Sequence, residues 1–379
     1  MRHLLRFAPA FFLALSVIGS AAAKPRARDL GVPFDGKPGT LNAITDVAGV
    51  EIGHATIIRG DGKLVVGEGP VRTGVSIILP RGKANHAPVF AGWFSLNGNG
   101  EMTGTAWLDE SGILDGPIAL TNTHSVGTVR DAVIQWQVKH GRAEGEVWWS
   151  LPVVAETWDG WLNDLNGFHV KPEHVFAAID GAKGGPVEEG GVGGGTGMIC
   201  HEFKGGIGTA SRVTHGYTVG ALVQANYGLR RQLRIAGVPV GQEIPEGAFR
   251  PDEDGSIIVV IATDAPLLPH QLKRLARRAS LAMGRMGSIS GDGSGDLFIA
   301  FSTANTVPSE RGRVGTVQMM DTEDLGPVFG AVVESTEEAI VNALVAGETM
   351  TGRDDHVVQG LPHDKLREVL KKYGRLVEK

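Results

Sequence analysis

The run Ser256-Ile257-Ile258-Val259-Val260-Ile261-Ala262-Thr263 constrains this chain more than any other. Its six central residues are apolar without a polar alternation, the mark of a strand buried on both faces. Other segments repeat the theme with less force. Residues 73–79, 88–94, 217–227 and 297–303 read as strands, and 174–180 as a short one that runs into glycine-dense sequence. Val126, Val129, Val133 and Trp136 recur at helical spacing over 125–139, and a Trp-rich helical stretch is expected over 148–166. Pro269 opens a helix with Leu272, Leu275, Ala279 and Met283 on one face and Lys273, Arg274, Arg277 and Arg278 on the other. Ser335-Thr336-Glu337-Glu338 reads as a capping box ahead of a helix over 339–346 that Gly347 ends, and a last amphipathic helix covers 363–373. Strands and helices mixed along the whole length predict one layered α/β domain, its sheets covered by helices.

Composition narrows the function. The 379 residues carry 36 basic and 42 acidic side chains, a net charge of −6, which argues against phosphate-backbone binding. Apolar residues reach 42%, enough for a substantial core. A single cysteine, Cys200, excludes an intrachain disulfide and any multi-cysteine zinc site. The twelve histidines form no H-E-x-x-H, and neither G-x-S-x-G nor S-x-x-K occurs. Residues 1–23, with Arg2 and Arg6 ahead of an apolar stretch and Ala21-Ala22-Ala23, read as a secretion signal. The expectation is a mature chain that starts near Lys24 in a bacterial periplasm. No other run is apolar enough to cross a bilayer. Glycine, at 55 residues, is about twice its usual share. The segment Gly181–Gly197 is the densest, yet it lacks the phosphate-cradling spacings and reads as a tight loop packed on the core or lining a pocket. Lys183 and Asp264 read as polar groups at strand ends.

The junction Asp252-Glu253-Asp254-Gly255-Ser256 is an acidic turn that delivers a serine to the start of the most buried strand. Alone it is an ordinary loop-to-strand connection. Its physics nevertheless suits one reaction. Gly255 leaves its carbonyl open and tolerates unusual backbone angles. Attack on that carbonyl by the Ser256 hydroxyl would break the chain and make Ser256 an N-terminus. A free α-amine, with an ordinary pKa of about 7.7–8.0, could then serve as base to its own hydroxyl.

Blocks along nearly all of the mature chain carry a resemblance. They include Asn42-Ala43-Ile44-Thr45-Asp46-Val47-Ala48-Gly49-Val50, Leu151-Pro152-Val153-Val154-Ala155-Glu156-Thr157 and Asp180-Gly181-Ala182-Lys183-Gly184-Gly185-Pro186. Further on come Gly193-Gly194-Gly195-Thr196-Gly197-Met198, Val223-Gln224-Ala225-Asn226, Ile261-Ala262-Thr263-Asp264-Ala265-Pro266-Leu267, Ser294-Gly295-Asp296 and Phe301-Ser302-Thr303-Ala304-Asn305. In these the chain resembles the DmpA/BapA family of N-terminal-nucleophile aminopeptidases, which contains L-aminopeptidase D-Ala-esterase/amidases and β-peptidyl aminopeptidases.

The resemblance implies a four-layer αββα sandwich and self-cleavage between Gly255 and Ser256, giving an α chain over 24–255 and a β chain over 256–379. It implies Ser256 as nucleophile and Asn226 as an oxyanion donor. Ser294 and Asp296 would orient the nucleophile and stabilise its charged amine. Glu156 would receive the substrate's ammonium group; from spacing alone it reads as a helix surface residue. Some relatives carry a tyrosine two residues after this glutamate. Here the position is Trp158, which leaves the second oxyanion donor open and implies a narrower acyl pocket. Neither metal nor organic cofactor is implied. The implied substrates are small peptides, amides or esters with a free amino terminus, and the implied assembly is a homo-oligomer of αβ pairs. A pantetheine-type amide hydrolase of the same family and a non-enzymatic periplasmic binding protein that uses the glycine loop as a cradle are the alternatives.

Overall fold

The computed structural model describes residues 24–140, 149–307 and 314–378; the expected signal segment lies outside them. Its strands are β1 (Glu51–Arg59), β2 (Val71–Leu79), β3 (Val89–Gly98), β4 (Ile113–Leu114), β5 (Ile118–Asn122), β6 (Val153–Thr157), β7 (Ile199–Cys200), β8 (Phe203–Lys204), β9 (Gly206–Thr214), β10 (Tyr217–Asn226), β11 (Asp254–Thr263), β12 (Gly293–Ser302), β13 (Met350–Thr351) and β14 (Val357–Val358). Its helices are α1 (Thr105–Ser111), α2 (Val126–His140), α3 (Pro172–Asp180), α4 (Val240–Glu243), α5 (Pro269–Arg285), α6 (Gly326–Val345) and α7 (His363–Lys372).

Two sheets carry the fold. One orders β1-β2-β5-β6 and the other β4-β3-β12-β11-β10-β9. Neighbours are antiparallel except for β5 with β6 and β11 with β12. Between the sheets, Ile78, Ile118, Leu120 and Ala155 meet Leu222, Ile258, Val260, Leu297 and Ile299. On the outer face of the larger sheet, Ile257, Val259, Ile261 and Phe298 pack with Leu272, Leu275 and Ala279 of α5 and Val332, Ile340 and Leu344 of α6. On the outer face of the smaller sheet, Val75, Ile77 and Val154 pack with Val129, Val133 and Trp136 of α2 and Val175 and Ile179 of α3. The order is therefore helix, sheet, sheet, helix, an αββα sandwich. β11 sits inside two of these cores at once, which is why its apolar run has no polar alternation. Each of its fully buried Ile and Val side chains contributes about 1.5–3 kcal/mol.

Three local expectations are corrected. Residues 174–180 are helical, not a strand: Pro172 opens α3, and the buried Val175, Ala178 and Ile179 follow a helical stripe. The expected helix over 148–166, whose first residue lies outside the described ones, is instead strand β6 followed by a turn and a 3-10 turn at Leu165–Gly167. All five residues of β6 are buried, and the β-branched Val153 and Val154 after Pro152 favour a strand over a helix. Ser335-Thr336-Glu337-Glu338 lies inside α6 rather than before it. Ser335 Oγ donates to Ala331 O at 2.7 Å, one turn back, so the serine does not cap. Glu338 spends its carboxylate on Arg28 and Arg212, at 2.7 and 2.8 Å.

The glycine-dense segment is a tight loop packed on the core. Gly193–Gly195 form a buried 3-10 turn against Val75 and Ser76 of β2, Leu120 of β5 and Ile207 of β9. The turn fills the end of the space between the sheets.

Candidate active site

The start of β11 is held between two strands that arrive from opposite directions. Ser256 lies opposite Asn226 of β10 and Gly295 of β12, while Gly255 lies opposite Ser294 and Ile257 opposite Asp296. Ser256 is 5% exposed, and its hydroxyl oxygen accepts from Gly295 N at 3.1 Å. Gly255 has φ of +142°, a region that disfavours any side chain, and a Cβ there would strike the Asn226 carbonyl oxygen. Glycine is thus required by both conformation and space.

Strand alternation divides the expected residues. Ser256 shares its face with Ile258 and Val260, which point between the sheets. Ser294 and Asp296 share theirs with Phe298, which points toward α5 and α6. The Ser256 hydroxyl and the Ser294–Asp296 pair are therefore separated by the sheet, with the Ser256 backbone nitrogen in the plane between them. Ser294 Oγ donates to Asp296 Oδ1 at 2.7 Å. Burial pushes the Asp296 carboxyl above its ordinary pKa, against the opposing pull of its hydrogen bond from Ser294.

On the inner face a pocket of about 220 Å³ brings Ser256 and Gly255 together with Asn99, Thr123, Glu156, Trp158 and Gly293. Glu156, in β6, is 3% exposed rather than on a helix surface. Its Oε1 accepts from Glu101 N at 3.0 Å and its Oε2 from the Thr123 hydroxyl. Burial raises its pKa, and the Thr123 donor and the Glu101 amide oppose that rise. Trp158 lines the pocket two residues on, and its indole lies so close to Gly160 that a Cβ there would meet the ring.

Asn226 is fully buried beside the pocket, not on its lining. Its Oδ1 accepts from Ile199 N at 2.8 Å, which fixes the amide orientation, and its Nδ2 donates to Trp158 O at 2.9 Å. An amide nitrogen has two hydrogens, so one donor is left to serve a reacting oxygen.

Sequence reading missed Thr123, Asn99 and the Glu101 amide. Asn99 Nδ2 donates to Gly293 O at 2.9 Å and ties the loop after β3 to the start of β12. Gly100 then sits against Gly295 and Glu156. The Asn97-Gly98-Asn99-Gly100 turn signal was visible in the sequence, but nothing local shows which carboxylate such a turn will reach. The site can present a hydroxyl nucleophile, oriented N–H donors and a buried carboxylate fixed at both oxygens.

The profile of peptidase family S58 matches residues 42–358. The chain is 56% identical to the beta-peptidyl aminopeptidase BapA of Sphingosinicella microcystinivorans, over 99% of both chains. Among solved structures it is similar to the L-aminopeptidase D-Ala-esterase/amidase of Ochrobactrum anthropi, described as a variant of the Ntn hydrolase fold, with TM-score 0.88, 50% identity and coverage of 93% and 100%. It is also similar to a Burkholderia beta-aminopeptidase, with TM-score 0.85, 51% identity and coverage of 92% and 99%.

Proposed function

The chain belongs to peptidase family S58 and is an aminopeptidase, and from that premise we propose that it cuts itself between Gly255 and Ser256 and then works through Ser256 as a new N-terminus. Family membership removes the non-enzymatic binding-protein alternative. The observation that carries the reading is the pocket in which Gly255, Ser256 and the buried Glu156 meet.

Self-cleavage proceeds by an N-to-O shift. The Ser256 hydroxyl oxygen bonds to the Gly255 carbonyl carbon, the Gly255–Ser256 C–N bond breaks, and the hydroxyl proton passes to the departing nitrogen. Water hydrolyses the resulting ester, leaving a Gly255 carboxylate on the 24–255 chain and a free Ser256 amine on the 256–379 chain. In turnover, that amine takes the hydroxyl proton as Ser256 attacks the carbonyl of the substrate's first residue. The second Asn226 amide hydrogen, beside the pocket, and the Gly295 N–H, at the Ser256 hydroxyl, would serve the developing oxyanion. The amine returns the proton to the leaving amine, and water frees the acyl group as an amino acid. Asp296, on the other face, can meet the Ser256 amine but not its hydroxyl, so its role is to hold the ammonium form.

Glu156 receives the substrate ammonium, and this sets the rule that the amino terminus be free: a blocked peptide leaves a buried carboxylate unpaired. Similarity to the two β-aminopeptidases supports small β-amino residues as the preferred first residue, with L-α residues and D-Ala amides or esters as the further class. Export to the periplasm and assembly into a homo-oligomer of αβ pairs complete the proposal.

On a denaturing gel, incubated protein should give two fragments near a 2:1 mass ratio, the smaller beginning Ser-Ile-Ile-Val. Ser256→Ala should stay whole and inactive. A wild-type chain that persists as one band would defeat the reading. A panel of β-alanyl, L-alanyl, D-alanyl and pantothenoyl amides then assigns the substrate, and preference for the last would favour the pantetheine-type alternative.

A further inference from the structure

The hairpin between β7 and β8 turns on only two residues, His201 and Glu202, with φ of +47° and +60°. Two-residue hairpin turns with both central φ values positive favour Asn and Gly, and larger side chains are strained there. The strain has a visible use. Glu202, 3% exposed, aims its carboxylate at the segment ahead of Gly255. Its Oε1 accepts from the backbone nitrogens of both Phe249 and Arg250, the latter at 2.6 Å, and its Oε2 accepts from Arg230 N at 2.7 Å.

The same segment is gripped from other sides. The Arg230 guanidinium donates to Ile244 O and Glu246 O, at 3.1 and 2.6 Å. The Phe249 ring stacks on Trp161 with centroids 4.9 Å apart, and Trp161 stacks in turn on His356 at 4.2 Å. Nearer the junction, Glu253 accepts from Gln232 Nε2 at 2.8 Å and from Ser288 Oγ at 3.1 Å. A stretch that composition marks as a flexible acidic turn is therefore fixed before it enters β11.

We infer that Glu202 is a positioning residue for self-cleavage: its buried carboxylate clamps the Phe249 and Arg250 amides so that the Gly255 carbonyl is presented to Ser256. This rests on the self-cleavage reading above. Glu202 touches neither the pocket nor the Ser256 hydroxyl, so its action ends once the bond is cut. The clamp belongs to maturation and not to turnover.

Glu202→Gln tests this, because an amide offers one acceptor where the carboxylate serves three donors, and its nitrogen would face an N–H. The full-length variant is made by cell-free synthesis, and conversion to two fragments is timed on gels beside wild type. Expected is conversion at least tenfold slower, with the matured fraction keeping wild-type kcat and KM; Glu202→Asp should recover part of the rate. Conversion within twofold of wild type overturns the inference, as does a fall in mature kcat in proportion to the processing rate. Folding is checked by melting Glu202→Gln in a Ser256→Ala background. If that protein is unfolded, Glu202→Asp replaces it as the test, keeping the charge while drawing the carboxylate back by one methylene from the Phe249 and Arg250 amides. Slowed conversion with unchanged kcat then supports the clamp, and an unchanged rate refutes it. A wild type that never cuts removes the self-cleavage reading itself, and the clamp with it.

Discussion

Each oxygen of the Glu156 carboxylate holds one fixed donor, and burial raises its pKa. The charged form is the one that binds an ammonium group, so this residue should add a second, lower acid limb to the pH profile, beneath the one set by the Ser256 amine. Thr123→Val removes one of the two opposing donors and should move that limb to higher pH. At low pH kcat/KM should fall roughly tenfold or more, mainly through KM, in line with about 1.5–3 kcal/mol for a hydrogen bond to a charged group. Profiles of kcat/KM against pH for both proteins check this; an unmoved limb would separate Glu156 from ammonium binding. Here sequence and structure divide instructively. Ser256 was legible locally as the start of a buried strand, and only the family resemblance marked it as a candidate nucleophile. Glu156 was not, because its burial depends on β6 lying against β5 and on a loop that arrives from β3, contacts with no mark in the surrounding residues. Even the family's pattern did not foretell that Ser294 and Asp296 would lie across the sheet from the Ser256 hydroxyl.

Among the elements, the long continuous or alternating runs were read well and the short apolar ones poorly. β11, β10, β12 and α5 stand where their periodicity put them. α3 and β6, with apolar stretches too short to distinguish periods of two and 3.6, exchanged identities. Ser335–Glu338 misled for another reason: the residues of a capping box also serve mid-helix when ion pairs and a backbone carbonyl satisfy them. Close approach between layers is a further element-scale property. A Cβ on Gly208 of β9 would land on the backbone of Ala339 and Ala343 in α6. Gly208→Ala should therefore push the helix off the sheet and cost about 1–3 kcal/mol, read as a lower denaturant midpoint in the Ser256→Ala background. A midpoint equal to the parent would mean that the helix shifts freely.

For the molecule as a whole, acid should be a selective weakness. Burial lowers His54 and His201 to about 4, against an ordinary 6.5. Both are neutral in the fold and take up protons on unfolding, so the stability they supply is full above pH 6.5 and is lost as pH falls toward 4. Each contributes on the order of 3 kcal/mol. Asp159, raised to about 6 by burial, acts in reverse: its contribution is present at low pH and lost as pH rises through 6. A difference measurement isolates the histidine. Between pH 7 and 4.5, the stability of Ser256→Ala should fall more steeply than that of Ser256→Ala/His54→Gln, by nearly one proton. Equal slopes would show that His54 titrates normally.

The order β4-β3-β12-β11-β10-β9 interleaves the two sides of Gly255: four strands of the larger sheet precede it, and β11 and β12 lie at the centre. Cutting there splits the chain but no layer. Unfolding of an enzyme cut as proposed is then also a dissociation, and its recovery needs two chains to find each other, because neither holds the whole of the larger sheet. Refolding becomes second order in protein, whereas the uncut Ser256→Ala chain refolds at a rate independent of concentration. An enzyme cut as proposed would have to last by unfolding slowly, since a molecule that opens at high dilution has no unimolecular way back.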